Sequence, residues 1–268
     1  MKILSRRSFI IGGSLSLVSY LYFETHSIAV KHYRIPINNL PLPFNGFTIL
    51  QLSDLHSKEY GKKQNKLLRL LGSQNFDIVA ITGDLVDKDN PLIEPGLDLV
   101  QGLRHKPTYF VPGNHDWWTG FQFKDQALQM GVKILANQAV KLTKNGEHIW
   151  LVGVDDPYLG RDRLGEALAQ VNDSAPRLLM AHAPNVFPLA IKFGIELLMV
   201  GHTHGGQVRL PFVGAVVVPG QGLFPEWDYG LFSTGKTRMV ITGGLGESVL
   251  PIRFNIRPEI VLITLMRV

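Results

Sequence analysis

Five short motifs of Asp, Asn and His residues are the part of this sequence that could bind metal ions, and each directly follows a short apolar run. The motifs are Asp54-Leu-His56, Gly83-Asp84-Leu-Val-Asp87, Gly113-Asn114-His115-Asp116, His182, and Gly201-His202-Thr-His204. The sequence contains no cysteine, which excludes disulfides, thiolate metal sites and cysteine nucleophiles. Nitrogen and oxygen ligands of this kind suit zinc, manganese or iron.

The spacing within the motifs favours a centre of two metal ions. Asp54 and His56 are two residues apart, so on extended backbone their side chains point the same way, and the His pair of the last motif repeats this spacing. Asp84 is the natural candidate for a carboxylate that bridges two ions, and Asn114 offers a neutral amide oxygen. Two ions roughly 3.5–4 Å apart would clamp a phosphoryl group and generate hydroxide as the nucleophile.

No single motif is specific for this chemistry. Gly-Asn-His-Asp can be an ordinary turn, because Gly and Asn both tolerate positive φ. A lone histidine at the end of a strand is usually structural. The five motifs together, each placed after a predicted strand, are what favour a dinuclear metal site.

Strands and helices alternate along the part of the chain that must position these motifs. Short apolar runs predict strands at residues 47–52, 77–82, 108–111, 178–180 and 196–200. Helices are predicted near residues 67–71, 92–103 and 164–171. The second helix is the weakest of these, because Pro95 and Gly96 interrupt its pattern.

More strands are predicted towards the end of the chain. Asn145-Gly146 predicts a hairpin between residues 138–143 and 148–154, and the segments 213–218, 237–242 and 259–265 are rich in β-formers. We expect an α/β fold with two mixed sheets packed face to face and helices outside, a four-layer αββα sandwich. The motifs would then meet beyond the carboxyl ends of the strands.

In this order, the five motifs resemble those of the calcineurin-like metallophosphoesterases, over about residues 46–244. The resemblance implies a first ion held by Asp54, His56, Asp84 and His204, and a second held by Asp84, Asn114, His182 and His202. It also implies that His115 is not a ligand but contacts the phosphate and protonates the leaving oxygen, with Asp87 as its partner. The segments 201–207 and 250–259 are similar to those of the exported bacterial phosphodiesterase-like branch, whose members often carry a twin-arginine signal.

The N-terminus resembles an export signal. Ser5-Arg-Arg-Ser-Phe-Ile10 matches the twin-arginine pattern, and an uncharged apolar run follows from Ser8 to Phe23. That run is shorter than the ~20 residues of a comfortable membrane span. Ser27 and Ala29 offer a cleavage site. Without cleavage the segment would be a membrane anchor, and the alternative is a helix buried in the fold. We expect a signal or anchor in residues 1–29, an extended linker in 30–45 and the metallophosphoesterase domain in 46–268.

The net charge of the chain and its N-terminal export signal limit the functions that we expect. The formal net charge is +5 without a block of consecutive basic residues, so we expect no nucleic-acid partner. We expect a hydrolase of phosphate monoesters, diesters or pyrophosphates, carried by the twin-arginine translocation machinery to the cell envelope, periplasm or cell wall, with a membrane surface as a further partner.

Two alternatives stay open. One is a lipid pyrophosphatase of the UDP-diacylglucosamine type, and the other is a non-catalytic metal-binding envelope protein. A lipid-linked substrate is suggested by two apolar segments after the last His pair, residues 210–213 and 224–232. These segments form either an apolar lip of the site or part of the core.

Overall fold

Two six-stranded sheets form the centre of the structure, a computed structural model that describes residues 6–248 and 250–268, with side chains in the first helix described from Gly12 onward. In spatial order, the first sheet contains β1 (Ala29–Ile37), β16 (Glu259–Arg267), β2 (Thr48–Leu52), β3 (Ile78–Ile81), β4 (Thr108–Phe110) and β5 (Lys133–Ile134). The second contains β14 (Gly230–Thr234), β15 (Thr237–Ile241), β9 (Leu197–Val200), β8 (Arg177–Met180), β7 (Glu147–Gly153) and β6 (Gln138–Lys144).

Both sheets are mixed, as predicted. In the first sheet β2, β3, β4 and β5 run parallel, while β16 is antiparallel to β2. In the second sheet β7, β8, β9 and β15 run parallel, and the two edge strands are antiparallel to their neighbours. Two small hairpins follow β9: β10 (Arg209–Leu210) with β11 (Gly214–Ala215), and β12 (Val217–Val218) with β13 (Gly222–Leu223).

Helices cover the outer face of each sheet. The helices are α1 (Arg6–His26), α2 (Asn65–Gly72), α3 (Glu94–Leu103), α4 (Asn114–Trp118), α5 (Lys124–Gln129), α6 (Leu164–Leu168) and α7 (Phe187–Lys192). Short 3₁₀ turns lie at Leu42–Phe44, Lys62–Gln64, Pro184–Val186 and His204–Gly206. Helices α2, α3 and α5 pack on the first sheet, and α6 and α7 pack on the second.

The inner faces of the two sheets share one apolar core. Ile49 and Ala80 from the first sheet and Leu151 and Met199 from the second belong to the same cluster, and all four are fully buried. Strands β3 and β9 are buried along their whole length, because the core covers one face and helices cover the other. The predicted four-layer αββα arrangement is therefore confirmed.

Local sequence signals explain several element boundaries. Asn145 and Gly146 both adopt positive φ, 50° and 82°, and close the predicted hairpin between β6 and β7. Helix α3 was expected to be interrupted at Pro95 and Gly96, and that expectation was wrong. Both residues lie in its first turn, where proline fits because no intrahelical N–H is needed there.

The segment expected to be a linker is partly a strand of the first sheet. Residues Ala29–Ile37 pair in parallel with β16, from Ala29 opposite Glu259 to Ile37 opposite Arg267. Ile35 and Ile37 alternate with exposed residues and are buried in the core between the sheets. Pro36 fits because β1 lies at the edge of the sheet, where a missing N–H is tolerated.

The end of α1 is joined to the domain, whereas its middle is exposed. Thr25 Oγ1 accepts a hydrogen bond from the backbone N–H of Arg253 (3.0 Å), and the Thr25 carbonyl accepts one from Lys58 Nζ (2.9 Å). Leu15 and Val18 are 64% exposed. Within residues 6–248 and 250–268, no helix is both long and apolar enough to cross a membrane. Ser5 of the twin-arginine pattern lies outside the described residues.

Candidate metal centre

The five motifs lie on loops that leave the carboxyl ends of five strands. Asp54 and His56 follow β2, Asp84 and Asp87 follow β3, and α4 begins at Asn114 just after β4. In the second sheet, His182 follows β8, and the last His pair follows β9. Because these strands are parallel neighbours within their sheets and the sheets face each other, the loops converge at one edge of the sandwich.

All seven predicted ligands are buried, and they form two groups of closely spaced ligand atoms. In the first group, Nε2 of His56 lies 3.1 Å from Nε2 of His204, and that atom of His204 lies 3.5 Å from Asp54 Oδ1. The ligand atoms of Asp54, His56 and His204 all lie within 4.8 Å of one another.

The second group surrounds His182. Its Nε2 atom lies 3.1 Å from Asn114 Oδ1, 3.1 Å from His202 Nδ1 and 3.2 Å from Asp84 Oδ2. The same Asp84 oxygen is 3.7 Å from His56 Nε2, in the first group. Asp84 is therefore the residue whose carboxylate reaches both groups.

Hydrogen bonds to outer partners fix which ring nitrogen of His182 and of His56 faces the other ligand atoms. His182 Nδ1 lies 2.8 Å from the Thr82 carbonyl, which can only accept, so Nδ1 holds a proton and Nε2 faces the other ligand atoms. Burial lowers the pKa of His182, but the charge of Asp84 and a hydrogen bond to it outweigh burial and raise that pKa well above its usual value, so Nε2 also holds a proton when no cation is bound. His56 Nδ1 donates in the same way to Asp87 Oδ2, at 2.8 Å. Outer partners of this kind fix the tautomer of metal-binding histidines. Ring nitrogens that face one another and two carboxylates fit divalent cations between them, with a cation taking the place of the Nε2 proton of His182.

Burial and nearby charge adjust the ionisation of the ligands. Burial and the nearby His182 lower the pKa of His202 to about 3, so its ring is neutral, the form that binds metals. Burial alone would raise the pKa of Asp84. Charge attraction and a hydrogen bond from His182, with attraction to His56, outweigh it and lower the pKa of Asp84 below its usual value.

Strained backbone accompanies the ligands. Asp54, His56, Asp84, His202 and His204 all have positive φ, between 47° and 69°. Such conformations cost non-glycine residues about 1–3 kcal/mol each and persist only where the surroundings impose them. Close packing is one cause, since a Cβ atom at Gly201 would overlap Ser53 and Asp54. The fold therefore fixes the ligand positions in advance.

Asp116 supports the site in a way that the sequence analysis missed. Its Oδ2 accepts hydrogen bonds from the backbone N–H groups of Asp84 (2.8 Å) and Gly113 (2.9 Å), and its Oδ1 accepts one from Leu85 (3.0 Å). Burial and the charge of Asp84 raise the pKa of Asp116 to about 7, although the hydrogen bonds from the backbone of Gly113 and Asp84 lower it. Asp116 thus ties the loop after β3 to the loop after β4.

His115 and Asp87 lie beside the ligands. The backbone N–H of Lys88 donates to His115 Nδ1 at 3.1 Å, so the neutral ring carries its proton on Nε2. Asp87 Oδ2 is 3.4 Å from His115 Nδ1 but 2.8 Å from His56 Nδ1. Asp87 therefore lies closer to a predicted metal ligand than to the histidine it was expected to assist. A ligand atom of His115 is also within 4.8 Å of those of His56 and Asp84.

A cavity of about 350 Å³ opens over the ligands. Its lining includes Asp84, Asn114, His115, His202 and His204, with Lys88 and Trp118 beside the motifs and Tyr158, Pro219 and Ser248 from other segments. The volume is within the range of small-molecule sites. Tyr158, Pro219 and Ser248 carry no motif that could have indicated them from the sequence.

Comparison with known proteins identifies the family. The calcineurin-like phosphoesterase family model matches residues 47–206, more than half of the chain. The metallophosphoesterase YkuE of Bacillus subtilis is 29% identical over 286 residues, covering 99% of both chains. The phosphodiesterase YaeI of Escherichia coli is 30% identical and covers 82% of both chains. A bovine transmembrane protein with a metallophosphoesterase domain is 30% identical over 87% of this chain and 56% of its own length. The chain therefore belongs to the calcineurin-like phosphoesterase family and is a hydrolase of phosphoric esters with clustered candidate metal ligands.

Proposed function

We propose that the chain hydrolyses phosphodiesters or pyrophosphates at a centre of two divalent metal ions, with manganese, zinc and iron as the candidates. The observation that carries this proposal is the Asp84 carboxylate, whose Oδ2 lies 3.7 Å from His56 Nε2 and 3.2 Å from His182 Nε2. When bound, the ions would clamp the phosphoryl oxygens and supply an activated water at neutral pH.

The seven predicted ligands divide between the two positions. Asp54, His56 and His204 would hold the first ion, Asn114, His182 and His202 would hold the second, and Asp84 would contact both. Neutral imidazoles and carboxylates are ligands that such borderline ions accept. The strained, buried loops keep these side chains in place before any ion or substrate binds.

His115 is the proposed general acid. The ring lines the cavity in which the substrate would lie, and its acid form would be the imidazolium, with Asp87 Oδ2 3.4 Å from Nδ1. Burial lowers the pKa of His115, but the hydrogen bond to Asp87 and the charges of Asp84 and Asp87 outweigh burial and raise it. Loss of the Nε2 proton from the imidazolium would leave a neutral ring. As the bond from phosphorus to the leaving oxygen breaks, that oxygen would take the Nε2 proton. The rim also carries Lys88 and Asp89, whose ammonium and carboxylate groups form an ion pair at 2.8 Å.

Removal of the metals tests this function directly. Protein treated with a chelator and dialysed should not hydrolyse bis(p-nitrophenyl) phosphate, because the cluster cannot bind a phosphoryl group without cations. Addition of manganese or zinc should restore turnover, and calorimetry should show two ions per chain. One ion per chain at full activity would overturn the dinuclear proposal. Two bound ions without turnover of any phosphoester would instead favour the non-catalytic envelope protein.

We further propose that the protein is exported and acts at or outside the cytoplasmic membrane. The basic pair Arg6-Arg7 followed by an apolar run supports this, as does the exposure of Leu15 and Val18 on α1. A receptor-read address depends on the identity of its residues and not only on their charge.

The double change Arg6→Lys with Arg7→Lys should therefore keep the protein in the cytoplasm of a twin-arginine-competent host. Cell fractionation measures the exported share. The matched control changes two exposed arginines of the domain, Arg69→Lys with Arg104→Lys, and should leave export unaltered. Normal export of the leader variant would point to the general secretory route or to a simple anchor.

A further inference from the structure

An apolar side pocket lies next to the metal cavity. It measures about 380 Å³, and its lining includes Gly206, Val217, Val218 and Leu250. His204, Pro219 and Ser248 line both this pocket and the metal cavity. A molecule whose phosphorus lies at the metals therefore has direct access to the side pocket.

Gln207 and Thr203 of the side pocket use their hydrogen-bonding groups on other protein atoms. Gln207 Nε2 donates to the Leu250 carbonyl at 2.6 Å, and Gln207 Oε1 accepts from the Ser248 N–H at 3.1 Å. Thr203 Oγ1 donates to the Asp228 carbonyl and accepts from the Gly205 N–H. A polar guest would gain few partners from these side chains, so the wall suits an apolar group.

The mouth of the pocket is apolar and open to solvent. Val217 is 53% exposed and Leu250 is 46% exposed. Leu223, which pairs with Val217 across the β12–β13 hairpin, is 69% exposed, and Phe224 beside it is 71% exposed. Clustered exposed apolar side chains are unfavourable in water and mark binding surfaces.

We propose that this side pocket binds the hydrocarbon chain of the substrate, so that the enzyme acts on amphiphiles with a phosphodiester or pyrophosphate head group. The inference rests on the proposed phosphoesterase function. His204 and Ser248 line both the side pocket and the metal cavity, so the hydrocarbon chain of a substrate bound at the metals can reach the side pocket. The head group would lie at the metal ligands and the chain would leave past Pro219, between Val217 and Leu250.

The aromatic segment expected from sequence contributes differently. Trp227 packs edge-on against Phe187 of the core and lines a second pocket, which shares Tyr158, His202 and Pro219 with the metal cavity. Phe232 also packs on that core. The lining of the side pocket includes neither of these residues, so the residues to test are Val217 and Leu250.

Matched p-nitrophenyl alkyl phosphodiesters that differ only in the alkyl group test the proposal on the metal-loaded protein. We expect kcat/KM to rise from the methyl to the butyl and octyl esters, by up to about fourfold for each CH₂ buried in the pocket. In Val217→Asn and Leu250→Asn, the octyl-to-methyl ratio should fall about tenfold. Leu231→Asn is the control, since Leu231 is 45% exposed on β14 and should leave the ratio unchanged.

Equal kcat/KM for the three esters would overturn the side-pocket proposal while leaving the phosphoesterase intact. If none of the three esters is hydrolysed, the proposed function fails, and binding tests the pocket separately. Calorimetry should then show tighter binding of octylphosphonate than of methylphosphonate to the metal-loaded protein, with the difference reduced in Leu250→Asn. Equal affinities, or a difference that survives in both pocket variants, would rule the pocket out.

Discussion

Replacing Asp84 by Asn should remove both metal binding and hydrolysis. The Asp84 carboxylate is the one that reaches both groups of ligand atoms, and its lowered pKa keeps it ionised. Asparagine keeps an oxygen for the hydrogen bond that Asp84 Oδ1 accepts from the His115 N–H at 2.9 Å, but it loses the negative charge. Stabilisation by metal ions is worth several kcal/mol. We expect turnover to fall by at least about a thousandfold, which corresponds to about 4 kcal/mol.

Metal content separates this effect from simple misfolding. Elemental analysis should find fewer than two ions per chain in Asp84→Asn, while circular dichroism should show a folded protein. The control Asp125→Asn changes an exposed carboxylate on α5 and should keep both ions and full activity. Near-normal turnover with two ions in Asp84→Asn would show that this carboxylate does not bridge them.

The central strands could be predicted because their environment leaves a strong pattern. Strands such as β3 and β9 are covered on both faces, so each is a short, continuous apolar run followed by a polar motif. Strand β1 was missed because its two buried residues, Ile35 and Ile37, flank Pro36, and prolines favour a linker in the absence of information about the partner strand. The start of α3 was misread because proline ends a helix in its interior but begins one in its first turn.

The same limit applies to the site. The seven predicted ligands stand out in the sequence because metal binding requires particular residue types at fixed spacing after strands. Asp116 accepts hydrogen bonds from the backbone of its own loop and of the neighbouring loop. From the sequence alone, such a residue cannot be distinguished from an Asp that only forms a turn. Tyr158, Pro219 and Ser248 come from three distant segments and meet only in the folded chain. Walls of this kind depend on tertiary packing, and no local pattern predicts them.

His115→Ala should keep both metal ions and lose most of the activity. Burial lowers the pKa of His115, but Asp87 and Asp84 outweigh it and raise that pKa, which favours the imidazolium form that can give its Nε2 proton to the leaving oxygen. General acid catalysis is typically worth ~10²–10⁴-fold. The loss should be larger for a substrate that releases an alkoxide than for one that releases p-nitrophenolate, because the weaker base needs less protonation.

The leaving-group comparison distinguishes an acid from a ligand, a distinction that matters because a ligand atom of His115 lies within 4.8 Å of those of His56 and Asp84. An acid gives intact metal content and a loss that grows with leaving-group basicity. The control is His105→Ala, at an exposed position, which should change neither the metal content nor the rates with the two substrates. If His115→Ala loses an ion, His115 is a ligand. If both ions stay and the two substrates slow equally, His115 positions the phosphate, and the proton for the leaving oxygen must come from another group.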